Sequence, residues 1–273
     1  MTLAVSWVVG VPAVRDSLVW HLGYASNILF ARLGYFQDHV AHFWSLAVEE
    51  QFYLVWPFVV IFSPRRRLLH VLVIAAAVGP LYRLGGGLLG IYSTEHWMWL
   101  FAAPFANVDS LALGGILAYA SVVKGDPLKL KSRLPTYGLW VGAPLAVCLR
   151  VLDWINASGP RFEVARLGFE NTMWALLFVW LIDRASRGFV GLVGRVLESR
   201  LLMYLGKISY GLYVVHLFMP DGVAWLFRRS NLPYPENDLA EFVLLVTATV
   251  VIAACSWHVY ERPLNDLKQR FST

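Results

Sequence analysis

Long apolar segments separated by short polar ones follow one another along this chain of 273 residues. Most of the apolar segments have roughly the 20 residues that a helix needs to cross a bilayer. The pattern predicts an all-α fold, a polytopic transmembrane helix bundle of about eight spans. The predicted spans are residues 17–36, 43–62, 68–92, 97–123, 134–152, 171–188, 201–220 and 240–260. Polar residues interrupt the first of them, which is therefore predicted to be either re-entrant or the end of a broken helix.

Basic residues recur in every second loop of this predicted topology. The basic segments are Arg65–Arg67, Lys124–Arg133, Arg184–Arg200 and Arg262–Arg270. The loops between them are poorer in cations or richer in acids. Because cytoplasmic loops carry an excess of Lys and Arg, the alternation predicts a cytoplasmic C-terminus and a 43–62 helix that begins outside and ends inside.

The chain opens on an apolar segment, Thr2–Val14, with no Lys or Arg before it. A signal peptide has a basic start, and a spanning helix has roughly 20 apolar residues, so the segment fits neither. It is interpreted as the tail of a helix whose beginning is absent. Residues 1–273 are accordingly predicted to form a single membrane domain that lacks its N-terminal helices.

Composition agrees with the membrane assignment, since 58% of the residues are hydrophobic and only 15% are charged. Soluble domains carry about 25% charged residues. The net charge of +5 is not gathered on a basic face with interleaved aromatics, which excludes nucleic acid as a predicted partner. Both cysteines, Cys148 and Cys255, lie in apolar stretches and indicate buried free thiols rather than a disulfide framework or a metal site.

The segment HFWSLAVEEQFYLVWP, residues 42–57, places two adjacent carboxylates in an otherwise apolar helix. Helical spacing puts His42, Ser45 and Glu49 on one face, whereas Glu50 points about 100° away. An ionisable group within a span is costly and is a functional hypothesis by default, and Glu49 suits a general acid or base. The alternative is a structural hydrogen-bond cluster. A metal site with His39 matches no established zinc spacing, and none is predicted.

A second polar stripe occurs in GKISYGLYVVHL, residues 206–217. Ser209, Tyr213 and His216 fall on one helical face, which is compatible either with a polar cavity or with packing of satisfied polar groups.

Two further segments carry acids within or beside a span. In NVDSLALGGILAY, residues 107–119, paired glycines permit close helix approach, but packing does not explain Asp109. In YERPLNDL, residues 260–267, Glu261 precedes Arg262 at the end of the last span, and a structural role is expected there.

These four segments, in this order, resemble acyltransferase family 3, the integral membrane acyltransferases that modify bacterial polysaccharides and related glycans. The resemblance runs from about Asn27 to Leu267. It implies an all-helical bundle of usually about ten spans in the bacterial inner membrane. It also implies transfer of an acyl group, typically acetyl, from a cytoplasmic acyl-CoA to a hydroxyl of a glycan or glycolipid, with acyl-CoA as co-substrate and no bound cofactor.

The resemblance also implies which residues form the site. The signature is carried by Trp44, Ser45, Leu46, Glu49, Gln51, Phe52 and Tyr53, and the second motif by Ser209, Tyr210, Tyr213 and His216. Predicted catalytic residues are Glu49, Ser45, His42 and His216. Predicted substrate-binding residues are Trp44, Gln51, Tyr53, Asp109, Ser209, Tyr210 and Tyr213. The family's N-terminal catalytic His and Arg-x-x-Arg segment have no counterpart here, so the chain is interpreted as a fragment, the product of a misplaced start codon or a degenerate copy. As a separate departure, Asn107 stands where many relatives have Arg.

In the mechanism that these residues suggest, a base takes the proton of a sugar hydroxyl as it attacks the thioester. The base would be the missing His, oriented by Glu49, while Ser45, Tyr213 or His216 donates to the oxyanion. A covalent acyl-Ser45 intermediate is less favoured because the nearest His lies on the same helix. The run Arg65–Arg67 is either a CoA-phosphate contact or a topology anchor. The alternative function is a membrane transporter or channel whose path these polar residues line, although no paired halves are apparent.

Overall fold

The computed structural model describes residues 15–122, 130–155 and 159–269, which form helices joined by short turns, with no β-strand in these three ranges. The α-helices are α1 (Leu18–Leu22), α2 (Ser26–Leu33), α3 (Phe43–Phe62), α4 (Arg65–Leu88), α5 (Trp97–Ala102), α6 (Val108–Val122), α7 (Leu130–Tyr137), α8 (Ala143–Trp154), α9 (Pro160–Ser186), α10 (Gly191–Leu197), α11 (Arg200–Lys207), α12 (Ser209–Val215), α13 (Met219–Arg229), α14 (Asp238–Ser256) and α15 (Arg262–Gln269). Short 3₁₀ turns and two π-helical segments connect several of them. The all-α prediction is confirmed.

Several predicted elements lie outside the described residues. They are the apolar segment Thr2–Val14, the loop cations Lys124 and Lys129, and Arg270 at the C-terminus.

The helices divide into two compact units. Of the described residues, one unit comprises those within 1–19, 37–42 and 190–273, and the other comprises those within 20–36 and 43–189. The prediction of a single domain stays a prediction.

The larger unit is built around α4, α6 and α9. Its apolar core contains Leu72, Leu113, Ile116, Leu117, Ala175 and Val179, all buried. Helices α4 and α6 approach closely because Gly79 and Gly115 have no side chains: a Cβ on Gly79 would overlap the Asp109 carboxylate, and one on Gly115 would come 2.7 Å from Leu72. Small residues at helix contacts are typical of membrane bundles.

In the smaller unit, helix ends are fixed by polar caps. The Asn237 side chain accepts from the backbone N–H groups of Leu239 and Ala240 at 2.9 and 3.3 Å, so α14 begins there. Ser199 caps α11 in the same way. Helix α12 packs against α14, where Gly211 lies beside Ala253 and the Glu261 carboxylate, and Ser256 donates to Glu261 at 3.0 Å. Glu261 therefore makes packing and hydrogen-bond contacts within this unit, which agrees with the structural role expected from its position in the sequence.

Four described helical segments are long and apolar enough to cross a bilayer: Asp38–Phe62, Arg66–Leu88, Arg133–Trp154 and Asp238–Leu267. A fifth candidate is the pair Arg200–Lys207 and Ser209–Arg229, which is bent by 56°. A multi-pass membrane protein is supported, but the predicted count of about eight spans is not confirmed, and the cytoplasmic C-terminus stays a prediction.

The predicted spans that do not appear as single long helices have local breaks. Residues 17–36 form α1 and α2, separated at Tyr24, whose φ is 50°. Residues 97–123 are broken before Pro104, because the residue that precedes a proline is driven out of the helical region. Ala103 is accordingly extended, with ψ at 146°. The predicted span 171–188 is the second half of the longer α9, which is not among the apolar spanning candidates.

Candidate active site

Two histidines and a tyrosine meet in the smaller unit, where α12 ends and the chain enters the 3₁₀ turn His216–Phe218. The rings of His42 and His216 have centroids 5.0 Å apart, and the Tyr213 ring lies 5.3 Å from that of His42. Tyr213 donates its hydroxyl to the His42 carbonyl at 2.9 Å. Three of the predicted site residues, from segments more than 170 positions apart, are thus brought together.

Backbone carbonyls fix the proton positions on both imidazoles. His42 Nε2 lies 3.1 Å from the Val214 carbonyl, and His216 Nδ1 lies 2.6 Å from the Tyr213 carbonyl. Because a carbonyl only accepts, each of these ring nitrogens must carry a hydrogen. In the neutral ring of His216, the lone pair is therefore on Nε2, and His216 is exposed. An imidazole in this state can take up a proton.

His39 and Asp221 form a second polar contact in the same unit. His39 Nδ1 lies 2.7 Å from an Asp221 carboxylate oxygen, and both side chains are partly exposed. In the described part of the chain, no group of three or more His, Cys, Asp or Glu side chains could hold a metal ion.

The remaining members of the first signature lie on α3 in the larger unit. Glu49 is exposed on the helix and makes no ion pair or side-chain hydrogen bond with a residue that the structure describes. Tyr53 is also exposed, at 57%. Trp44 packs its indole on Phe101 with centroids 4.7 Å apart. The catalytic roles of Glu49 and Ser45 stay predictions.

Gln51 forms a hydrogen-bonded amide pair with the buried Asn27. Gln51 Nε2 donates to Asn27 Oδ1 at 2.9 Å and to the Tyr24 carbonyl at 2.7 Å, while Asn27 Nδ2 donates to Gln51 Oε1 at 3.3 Å and to the Ala102 carbonyl at 3.2 Å. The pair ties α2 to α3 and α5. Both amide hydrogens of Gln51 are engaged in these contacts, which gives Gln51 a structural function beside its predicted role in substrate binding.

Asp109 lies in a fully buried ion pair with Arg83. The guanidinium of Arg83 donates to both carboxylate oxygens, at 3.2 and 2.9 Å, and Thr172 donates to the carboxylate at 2.5 Å. The two charged side chains are 2% and 0% exposed. Arg83 also donates to the carbonyls of Ala106, Leu167 and Gly168. This cluster joins α4, α6 and α9 and explains why Asp109 lies within an apolar helix; its predicted contact with substrate stays a prediction.

Ser209 and Tyr210, the last of the predicted site residues, are exposed at the start of α12. Their role in binding substrate stays a prediction.

Sequence reasoning missed Arg83, Thr172 and the His21–Ser26 contact. Arg83 is a cation in the middle of the predicted span 68–92, and that position alone was a signal of a buried partner. His21 Nδ1 lies 2.8 Å from Ser26 Oγ, and both residues are buried. Here the signal was weaker, because the surrounding segment was predicted to be an irregular span.

Comparison with known proteins places the chain among acyltransferases. A family model described as "Acyltransferase domain" matches residues 3–258. The chain is similar to YrhL of Bacillus subtilis, a protein that carries the name of a peptidoglycan O-acetyltransferase. They are 28% identical over 280 residues, which cover 92% of this chain and 40% of YrhL. It is also similar to the O-acetyltransferase OatA of Staphylococcus aureus, with 24% identity over 84% of this chain and 36% of OatA.

The chain therefore spans about 40% of the length of these relatives or less. No solved structure shows significant similarity to it.

Proposed function

This chain belongs to the acyltransferase family that matches residues 3–258, and we propose that it transfers an acetyl group from acetyl-CoA to a carbohydrate hydroxyl at the bacterial inner membrane. Because the family match covers parts of both compact units, we treat residues 1–273 as a single acyltransferase domain. The basic loops support a cytoplasmic C-terminus. The peptidoglycan in the name of YrhL supports a glycan as the acceptor, and the name of OatA supports O-acetyl transfer.

The observation that carries this proposal is the proton arrangement of His216. Its Nδ1 donates to the Tyr213 carbonyl, so Nε2 of the neutral ring is left as a base. In the proposed reaction, this nitrogen takes the proton of the acceptor hydroxyl while the hydroxyl oxygen bonds to the acetyl carbon. The carbon–sulfur bond then breaks, and the thiolate of CoA takes the proton from His216. This assigns to His216 the base role that the sequence hypothesis gave to the family's N-terminal histidine.

His42 and Tyr213 would hold this base in place. The Tyr213 hydroxyl bonds to the His42 carbonyl, and the His42 ring bonds to the Val214 carbonyl. These two contacts fix the end of α12, and His216 follows Val214 by two residues. Glu49 and Ser45 on α3 remain proposed catalytic groups. Arg66 and Arg67 are exposed at the start of α4, at the opposite end of α3 from His42, so we assign them the role of a topology anchor rather than a contact with the phosphates of CoA.

Acetyl transfer by the full chain in proteoliposomes tests the proposal, with acetyl-CoA as donor and a glycan acceptor. His216→Gln keeps a polar side chain and removes the base, so kcat should fall about 100-fold or more. His96→Gln is the matched control, since His96 is a well-exposed histidine in the larger unit and should be replaceable at no cost. Full transfer by the His216→Gln protein, or no transfer by the parent protein, would contradict the proposal.

A further inference from the structure

A groove along α6 and α9 in the larger unit has a polar end and an apolar end. Its volume is about 400 Å³, within the range of small-molecule sites. Asn107 and Asn171 mark one end, where Asn171 Nδ2 donates to Asn107 Oδ1 at 3.4 Å. Phe178 and Ile182 line it further along α9. From Asn171 to Ile182 the helix rises by roughly 16 Å, which is enough for one sugar ring and part of an alkyl chain.

The polar end keeps hydrogen-bonding groups for a ligand. Asn107 uses both amide hydrogens on the carbonyls of Phe101 and Ala103, at 2.8 and 3.2 Å. Asn171 uses only one, so a second N–H and its carbonyl oxygen have no partner among the described residues. The Ser110 hydroxyl is exposed at the same groove. A donor and an acceptor presented side by side suit neighbouring hydroxyl groups on one ring.

Aromatic rings complete this end. Trp44 and Trp174 line the groove together with Phe101, which packs against Trp44. A sugar ring has apolar C–H faces and a polar rim, so it can lie against an indole while its hydroxyls reach amide and hydroxyl groups.

At the other end, none of the described lining residues has a polar side chain that could select a ligand. Gly114 lines it, and a Cβ built on Gly114 would meet no described atom within 4 Å, so the groove is open at this point. Phe178 is 54% exposed there. An alkyl chain would bury this apolar surface.

A second, larger cavity of about 620 Å³ between α3 and α4 lacks this two-ended character. Apart from the indole N–H of Trp56, Gln51 supplies the polar side-chain groups in its described lining, and both amide hydrogens of Gln51 are already donated within the protein. That cavity can accommodate hydrocarbon but offers little by which to recognise a head group.

We propose that the α6–α9 groove binds a lipid-linked sugar, with the sugar at Asn171 and Trp174 and the alkyl chain along Gly114 and Ile182. This inference rests on the proposed function, because it identifies the lipid-linked acceptor as the ligand. It concerns binding only and assigns no catalytic role to the groove.

Photolabelling of the full chain in nanodiscs tests the proposal without requiring turnover. The probe is an alkyl glucoside with a photoreactive group in its chain, and labelled peptides are identified by mass spectrometry. We expect labelling of α6 and α9, prevented by excess unreactive alkyl glucoside but not by an alcohol of the same chain length. Labelling that the alcohol prevents equally well, or that falls elsewhere in the chain, would overturn the proposal.

Two variants and one control make the test specific. Gly114→Leu fills the open end and should lower labelling by about tenfold or more, while Asn171→Leu removes the hydrogen-bonding groups and should weaken binding by about tenfold. Gly85→Leu introduces the same side chain in open space on α4 and should leave labelling unchanged. Equal labelling of all three proteins would refute the groove assignment.

Acetyl transfer measured on the same preparations separates the two proposals. Loss of labelling in the Gly114→Leu protein, while the parent transfers no acetyl, would support the groove and refute the enzymatic function. If the parent transfers acetyl and Gly114→Leu does not change the labelling, the enzymatic function would be supported and the groove assignment refuted.

Discussion

Removing Arg83 should destabilise the protein more than removing any exposed arginine. Arg83→Met keeps a long apolar side chain but deletes the charge and every donor of the guanidinium. Asp109, which is 0% exposed, would then keep only the Thr172 hydroxyl as a partner in this cluster. The carbonyls of Ala106, Leu167 and Gly168 would lose the donor that Arg83 gives them.

The expected cost follows from this geometry. Breaking a buried ion pair by removing one partner costs about 3–5 kcal/mol, because the other charge stays buried without compensation. Single interhelical hydrogen bonds in membranes contribute only about 0.6 kcal/mol on average, so the lost carbonyl contacts add less. We therefore expect the free energy of unfolding of the Arg83→Met protein to fall by about 3–5 kcal/mol.

Unfolding in mixed detergent–SDS micelles, followed by circular dichroism, gives this free energy. The double variant Arg83→Met/Asp109→Leu removes both charges and should recover most of the loss. Arg150→Met is the matched control: Arg150 also pairs with an acid, Glu170 at 2.5 Å, but its side chain is 58% exposed, so its loss should cost about 1 kcal/mol or less. The reasoning is refuted if Arg83→Met costs no more than Arg150→Met, or if the effects of the two charge removals simply add.

Three further outcomes are expected. Glu49→Gln should nearly abolish acetyl transfer while expression is unchanged, whereas Glu50→Gln should not; full activity of the first protein would remove Glu49 from the catalytic set. Gln51→Leu leaves the buried Asn27 amide without its partner and should lower the free energy of unfolding by about 1–3 kcal/mol in the same SDS assay; an unchanged value would show that the amide pair is not structural. Asn237→Ala removes the cap of α14 and should lower the free energy of unfolding by about 1 kcal/mol in the same assay. The control Asn237→Asp keeps the capping oxygen and should leave this free energy nearly unchanged.

Spans with an uninterrupted apolar pattern could be located from sequence to within a few residues. The predicted span 43–62 corresponds to α3, Phe43–Phe62, because its length and apolar content leave few alternatives in a bilayer. The predicted span 97–123 was wrong as one helix. The signal was present in Pro104, but hydropathy averaged over a window does not register one proline, whose effect on Ala103 is steric.

The sequence could identify which residues belong to the candidate site, but not which of them contact each other. Periodicity identified His216 and Tyr213 as one polar stripe, since both lie on a short local segment. It could not show that Tyr213 would donate to the His42 carbonyl, because that contact joins residues 171 positions apart. In the same way, Asp109 was recognised as anomalous, while its partner Arg83 depends on the packing of α4 against α6.

The Arg83–Asp109 pair also constrains how the chain enters the membrane. Arg83 is synthesised 26 residues before Asp109, which at typical translation rates is an interval of about 1–5 s. During that interval, a lone α4 released into lipid would bear the cost of an unpaired arginine, which is about 2.5–3.5 kcal/mol at a helix centre and smaller for Arg83, toward the C-terminal end of α4. Release of α4 and α6 together avoids this cost because each brings the countercharge of the other. The pair therefore favours a helical hairpin, rather than the single helix, as the unit of insertion for this part of the chain.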